Sequence, residues 1–303
     1  MKIELHNVQK RFGKVTALNG ITTSAQAGAR LALIGPNGSG KSTLLRAILG
    51  LISVDGQLRI DNLDPIADHP QLAQRLVYVP QVAPRLAVPV RECVRVLSGV
   101  RGISPRQVAA VATRLDLDLE GVGRRLVRDL SGGMRQKLLV AAALAAPAEL
   151  LVLDEPTASL DTDARQRFYG LLDELPQTTT IILCSHRLEE VRQVTQSVWA
   201  LRDGVLSFSG PTEQYLRQTA LTIVDIRVSS PSTNPNLPNP LTHHGFVEGA
   251  NGWWRKVLPQ HQKVQTVRDL TRQLNGTLAD LVVRDVENLV TPWATTEQEP
   301  YDA

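Results

Sequence analysis

The chain has 303 residues, 43% of them hydrophobic and 21% charged, with a formal net charge of +3. That length exceeds what one hydrophobic core usually serves, so two domains are expected, and the composition is that of an ordinary globular protein, neither disordered nor membrane-embedded. The basic residues are scattered, which gives nucleic-acid binding little support, and the two cysteines, Cys93 and Cys184, lie too far apart in sequence to read as a disulfide framework or a zinc site.

The start, Met1-Lys2-Ile3-Glu4-Leu5-His6, alternates like a strand and has no signal-peptide block. Residues 30–34 form a short apolar strand that runs into Gly35-Pro36-Asn37-Gly38-Ser39-Gly40-Lys41-Ser42-Thr43. Residues 42–49 then continue with helical spacing until Gly50 stops them. Strand, glycine-rich loop and helix are the context of a phosphate-binding loop. The glycines let the backbone curl so that several N–H groups converge at a helix N-terminus, Lys41 adds a mobile positive charge, and Ser42 offers a hydroxyl to Mg²⁺.

Residues 82–129 read as mainly helical, with one helix over 90–100 and a second beginning where Ser104 caps and Pro105 takes the first helical position. Leu130-Ser131-Gly132-Gly133-Met134-Arg135-Gln136 opens a further helix, and the apolar run 138–148 within it is too short to span a bilayer. Strands are expected at 150–153 and 179–184, each preceded by a helical segment, which implies parallel crossovers and a sheet buried on both faces. The first of these ends in Asp154-Glu155-Pro156, where one carboxylate can serve a metal while its neighbour, pointing the other way, serves a water.

Beyond residue 216 the composition changes. Residues 221–228 alternate as a strand, residues 229–241 form a proline-rich linker, and residues 245–257 carry a hairpin signal around Gly249-Ala250-Asn251-Gly252. A helix over 264–274, a strand over 278–283 and a short final helix complete a small α+β domain. The paired Trp253 and Trp254 read as packing residues of the hairpin.

The phosphate loop, the Ser131-Gly132-Gly133 segment and Asp154-Glu155, in that order, resemble the ATP-binding cassette (ABC) ATPases, over residues 1–215 with high specificity and in the tail loosely. The fold class implied is α/β: an ABC P-loop core with a helical subdomain over about 82–130, plus a C-terminal accessory domain over 216–303. The ligands implied are ATP and Mg²⁺, with residues 35–43 around the phosphates and Ser42, Gln81 and Asp154 toward the metal. In the resembling family Glu155 is the general base, His186 the switch histidine and Gln81 the glutamine that reaches the water. Phe12 occupies the place of the adenine-stacking aromatic, more often Tyr. Ser131, Gly132 and Gly133 are expected to face the ATP of a second copy in a head-to-tail homodimer, and Asp161 belongs to the loop crossing that interface.

The partner implied is an integral membrane permease, which would hold the chain at the cytoplasmic face of the membrane. Leu86, Val88 and Val90 are expected to border the groove that receives it. Met134 leans toward export-type members, and the end of the chain resembles drug-export ATPases. Residues 180–186 and the chain length also resemble the NosF-like ATPases of nitrous-oxide reductase and copper-site maturation. The rival class is a soluble ABC ATPase of translation or repair. Against it stand the single phosphate loop and the lack of heptads or cysteine pairs.

Overall fold

The computed structural model describes residues 1–219, 221–228, 240–274 and 277–285. They divide into two compact units, Met1–Thr212 and Glu213–Ala303. In chain order the first unit holds β1 (Ile3–Phe12), β2 (Val15–Ala25), β3 (Arg30–Ile34), α1 (Lys41–Ile48), β4 (Asp55–Ile60), α2 (His69–Arg75) and β5 (Leu76–Val79). There follow α3 (Val90–Arg101), α4 (Pro105–Arg114), α5 (Leu119–Val122), α6 (Gly132–Ala145), β6 (Leu150–Asp154), α7 (Thr162–Asp173), β7 (Thr180–Cys184), α8 (Leu188–Val194), β8 (Ser197–Arg202) and β9 (Val205–Pro211).

Six strands form one sheet in the order β5-β6-β7-β3-β8-β9. All neighbours are parallel except β8 and β9. Side chains alternate between its two faces, and both faces are apolar. Leu151, Leu153, Ile181 and Leu183 join a core made with Val90, Val94, Val108, Leu138, Ala141, Phe168 and Leu172. Leu150, Val152, Ile182 and Cys184 join a second core with Leu31, Leu33, Leu44, Leu45, Ile48 and the inner residues of an antiparallel sheet ordered β2-β1-β4. Each fully buried aliphatic side chain contributes about 1.5–3 kcal/mol, so both layers are needed to hold a sheet with no wet face. Ser104 and Gln107 form a reciprocal capping box at α4, and Pro105 sits at its first turn.

Val90 differs from its expected place beside a partner groove. It is fully buried at the start of α3 and packs into the core, whereas Leu86 and Val88 stay exposed on the loop before it. Their carbonyls accept from the backbone N–H groups of Arg128 and Val127, so this loop is a backbone-paired ledge.

The second unit is a four-stranded antiparallel sheet ordered β11-β12-β10-β13. It comprises β10 (Leu221–Val228), α10 (Pro240–His243), β11 (Val247–Glu248), β12 (Trp253–Pro259), α11 (Lys263–Gln273) and β13 (Leu278–Asp285), after α9 (Thr212–Thr219) at the boundary. Val224, Ile226, Leu241, Phe246, Trp254, Leu258 and Leu270 form its core. Trp254 is buried there, while the Arg227 guanidinium lies 5.6 Å from the Trp253 ring. Most of the expected linker lies outside the described residues, but its last two positions open α10, because Pro fits a first helical turn and Leu241 is buried in the core. The expected final helix also lies outside the described residues. On the sheet's other face Asp225 accepts from both Arg255 and Arg284.

A partly exposed ion-pair network joins the two sheets of the first unit. Arg75, at the end of α2, donates to Asp61 beside β4 and in bidentate fashion to Glu149 beside β6. The Arg75 guanidinium holds the Glu149 carboxyl below its ordinary range, and at Asp61 the Lys2 N–H and Arg75 outweigh the opposing effect of burial. Carboxylates with lowered folded pKa values contribute stability above their unfolded pKa of about 4, and lose it as pH falls through the folded values. Arg75→Gln is therefore expected to lower the melting temperature at pH 7 by roughly 2–4 °C, about 1 kcal/mol after solvent screening. The deficit should shrink as the pH is lowered below about 4 in scanning calorimetry; one that persists unchanged would assign the loss to packing.

Candidate functional site

Three strand ends create the site. Cys184, the last residue of β7, pairs with Leu33 of β3 on one side and with Asp154 of β6 on the other. The loops after β3, β6 and β7 therefore leave the sheet from neighbouring positions, carrying the 35–43 loop, Glu155 and His186. This is where an open parallel sheet places ligands, outside the carboxyl ends of its strands.

Gly40 precedes α1 in the left-handed region, at φ 102°, and a Cβ there would lie 2.4 Å from the Ala17 carbonyl oxygen. Glycine is required for the turn that starts the helix. Leu44 N–H already bonds the Gly40 carbonyl, so the N–H groups just before it are left to point outward. Lys41 Nζ folds over the loop, donating to the carbonyls of Gly35 at 2.7 Å and Pro36 at 2.9 Å. Asn37, Gly38 and Ser42 are exposed, Pro36 and Thr43 are half-buried, and Ser39 is buried with no partner for its Oγ among the described residues. A loop of outward N–H groups, one ammonium and an unpartnered hydroxyl fits a polyphosphate.

Asp154 is partly buried at the end of β6, where the Tyr78 hydroxyl donates to it at 3.4 Å. Burial raises its pKa, against the lowering effects of Cys184, Tyr78 and Lys41. Burial and the Asp154 charge push Tyr78 up to about 12. Among the described residues no group of three or more His, Cys, Asp or Glu side chains could hold a metal by itself. One carboxylate and the exposed Ser42 hydroxyl match the sparse protein ligation of Mg²⁺ on a nucleotide, where phosphates and waters fill the remaining positions. Gln81 is exposed just after β5, at the end of the strand neighbouring β6.

Glu155 adopts a left-handed backbone, φ 47°, which is uncommon for a residue with a side chain. Its N–H donates to the Cys184 carbonyl at 2.8 Å, and one carboxylate oxygen lies 2.8 Å from Nδ1 of His186. Burial raises the Glu155 pKa while the His186 contact lowers it. The carboxylate is largely enclosed and the imidazole about half exposed, so the pair presents one polar edge to solvent. Cys184 behind them is fully buried, its thiol pushed up by burial.

Of the remaining expected site residues, Ser131 caps α6 and accepts from the Met134 N–H, and Ser131 and Gly132 are exposed. Gly133 packs so closely that a Cβ would come 2.9 Å from the Ser159 carbonyl. The Asp161 carboxylate accepts the Ala164 N–H at the start of α7, which commits it to capping that helix. Phe12 is half exposed at the end of β1, with the Lys10 ammonium 5.5 Å from its ring. Sequence reasoning missed Thr157 and Glu190, and named Gln136 only as a member of the 130–136 segment. All three are buried polar residues bonded around residues 155–157, and a glutamate on an amphipathic helix gives no sign of burial before the fold is known.

Residues 18–158 match the model of the ABC transporter family. The Nod factor export ATP-binding protein I of Rhizobium meliloti is 31% identical over 294 residues, which cover 93% of this chain and 87% of that protein. The sulfate/thiosulfate import ATP-binding protein CysA of Synechocystis is 32% identical over 253 residues, 81% of this chain and 71% of that protein. Among solved structures, a bacterial Atm1-family ABC exporter with ATP bound superposes with a TM-score of 0.65 at 26% identity, over 72% of this chain and 40% of that one. No helix of the described residues is long and apolar enough to cross a membrane, and ATP-binding subunits of this family dimerise and act with membrane permeases. The chain belongs to the ABC transporter ATP-binding family and is an ATP-hydrolysing subunit.

Proposed function

We propose that two copies of this chain close head to tail around two ATP molecules, and that the cycle of closing and opening drives an export permease from the cytoplasmic face of the membrane. The observation that carries the catalytic part is the Glu155–His186 contact at 2.8 Å, on loops leaving the two strands next to the phosphate loop's own strand and its neighbour. The export direction draws support from the Nod-factor relative, whose similarity runs through 93% of the chain.

In this reading residues 35–43 cradle the phosphates and Lys41 turns from the loop carbonyls to the β/γ-phosphates. Phe12 stacks on the adenine, a role that needs only the ring face. Mg²⁺, held by Ser42, Asp154 and Gln81, supplies charge neutralisation at the phosphates. Glu155 accepts a proton from the attacking water while His186 holds that carboxylate and the γ-phosphate in line. Ser131, Gly132 and Gly133 of the second copy bring a helix N-terminus to the developing negative charge. The Asp161 loop lies at the interface, its carboxylate acting through the α7 cap. ATP favours the closed dimer only by as much as it contacts that state better than the open one, and that difference is the source of work.

Two apolar surfaces support permease docking. Val82, Leu86 and Val88 are exposed on the loop after Gln81, and a hollow of about 220 Å³ is lined by Ile48, Leu51, His69, Leu72 and Tyr78. A narrower cargo, in nitrous-oxide reductase and copper-site maturation, rests only on residues 180–186 and the chain length. Periplasmic copper-maturation proteins recovered with the chain from native membranes would support it; a permease without them would remove it.

Glu155→Gln is expected to bind ATP and elute from size-exclusion chromatography as a dimer with ATP but as a monomer without it. A variant that stays monomeric with saturating ATP would contradict the closed-dimer reading. Leu86→Asp with Val88→Asp should leave ATP binding intact and sharply reduce permease recovered from gently solubilised membranes. Undiminished recovery would move the docking surface elsewhere, and recovery of the wild-type chain with ribosomal or DNA-associated proteins instead would favour the soluble class.

A further inference from the structure

Glu190, on the first turn of α8, is 1% exposed, which is unusual for a glutamate. Its Oε1 accepts a hydrogen bond from the Thr157 hydroxyl, itself 2% exposed, and Arg187 Nε lies 3.8 Å from the same oxygen. The Tyr169 hydroxyl lies beside Glu190, and burial together with the Glu190 carboxylate pushes its pKa upward. Burying a carboxyl group is costly unless hydrogen bonds and a charged partner compensate for it.

The position explains the use. Thr157 is two residues from Glu155, and Arg187 immediately follows His186, so one buried carboxylate touches both loops that meet in the Glu155–His186 contact. The 155–160 turn is tied on its other side by α6, where the buried Gln136 amide donates to the Pro156 carbonyl at 2.9 Å. Inside the turn, Ala158 N–H bonds Glu155 O and Leu160 N–H bonds Thr157 O. A left-handed backbone at a side-chain-bearing residue is disfavoured and persists only where its surroundings over-determine it. Glu155 has that conformation, and the Thr157 and Pro156 tethers supply the over-determination.

We propose that Glu190, through Thr157, is a positioning residue that holds Glu155 in its strained conformation and in register with His186. The inference rests on the reading of Glu155 as the general base. It assigns the Thr157–Glu190 bond no contact with nucleotide, so loss of the bond should impair turnover and spare ATP binding.

The variants are Thr157→Val, which keeps the side-chain shape and removes the donor, and Thr157→Ser, which restores the hydroxyl. Two readouts are made on the full chain: steady-state hydrolysis of Mg·ATP, and the ring-nitrogen resonances of ¹⁵N-labelled His186 without nucleotide. Thr157→Val is expected to lower kcat about tenfold with KM for ATP within about twofold, and to move the His186 resonances toward those of a Glu155→Ala control. Thr157→Ser should restore both. Wild-type kcat and an unmoved His186 spectrum in Thr157→Val would overturn the inference, as would a loss that Thr157→Ser fails to rescue. A Glu155→Gln variant that hydrolyses ATP at the wild-type rate would instead count against the general-base reading, and the His186 spectrum would still decide the tether.

Discussion

Everything proposed for this chain depends on β7 lying between β3 and β6. Its last residue, Cys184, is the shared rung of two parallel ladders, and through it the phosphate loop, the Asp154-Glu155 pair and His186 leave the sheet side by side. No local propensity could do this, because the phosphate loop ends at Thr43, far upstream of Glu155 and His186, which are themselves 31 residues apart. It is done by burial on both faces of the sheet: a one-residue slip in any strand would exchange the side chains of two dry cores. The register of the proposed catalytic groups is thus enforced by hydrophobic packing.

On that frame the polar chemistry is held under strain. Glu155 takes a left-handed backbone that a side chain disfavours, and its raised pKa reflects burial that the His186 contact only partly offsets. Buried side chains from α6 and α8 fix the turn that follows it. The helix capped by Ser131 is therefore bonded, within one chain, to the loop beside the Glu155 carboxylate. In a head-to-tail pair this would tie the end that faces one nucleotide to the loop that serves the other.

Much of the first unit was legible before any coordinates. The phosphate loop announces itself through glycine positions and a lysine, and Ser104-Pro105 marks a helix start because cap and ring chemistry are local. Strands 150–153 and 179–184 stood out because a sheet buried on both faces reads as continuous apolar runs. What stayed hidden is what depends on tertiary contact. Glu190 has the sequence signature of a solvated helix residue, yet it is buried. Val90 sits in a run with Leu86 and Val88, and only the path of α3 shows that it turns inward. The Asp161 carboxylate, read as an interface group, is engaged in a helix cap. In the tail, the proline-rich stretch hid the start of α10, since proline marks linkers and first helical turns alike.

In the proposed head-to-tail dimer one chain alone holds an incomplete site, because the helix N-terminus that meets the γ-phosphate comes from a second copy. Specific ATPase activity measured across a wide range of protein concentration tests it most directly, with mass followed by light scattering. Turnover per chain is expected to fall toward zero at dilutions where the protein is monomeric, and to rise with concentration as dimers form. Constant turnover per chain in a protein that light scattering shows to be monomeric throughout would contradict it.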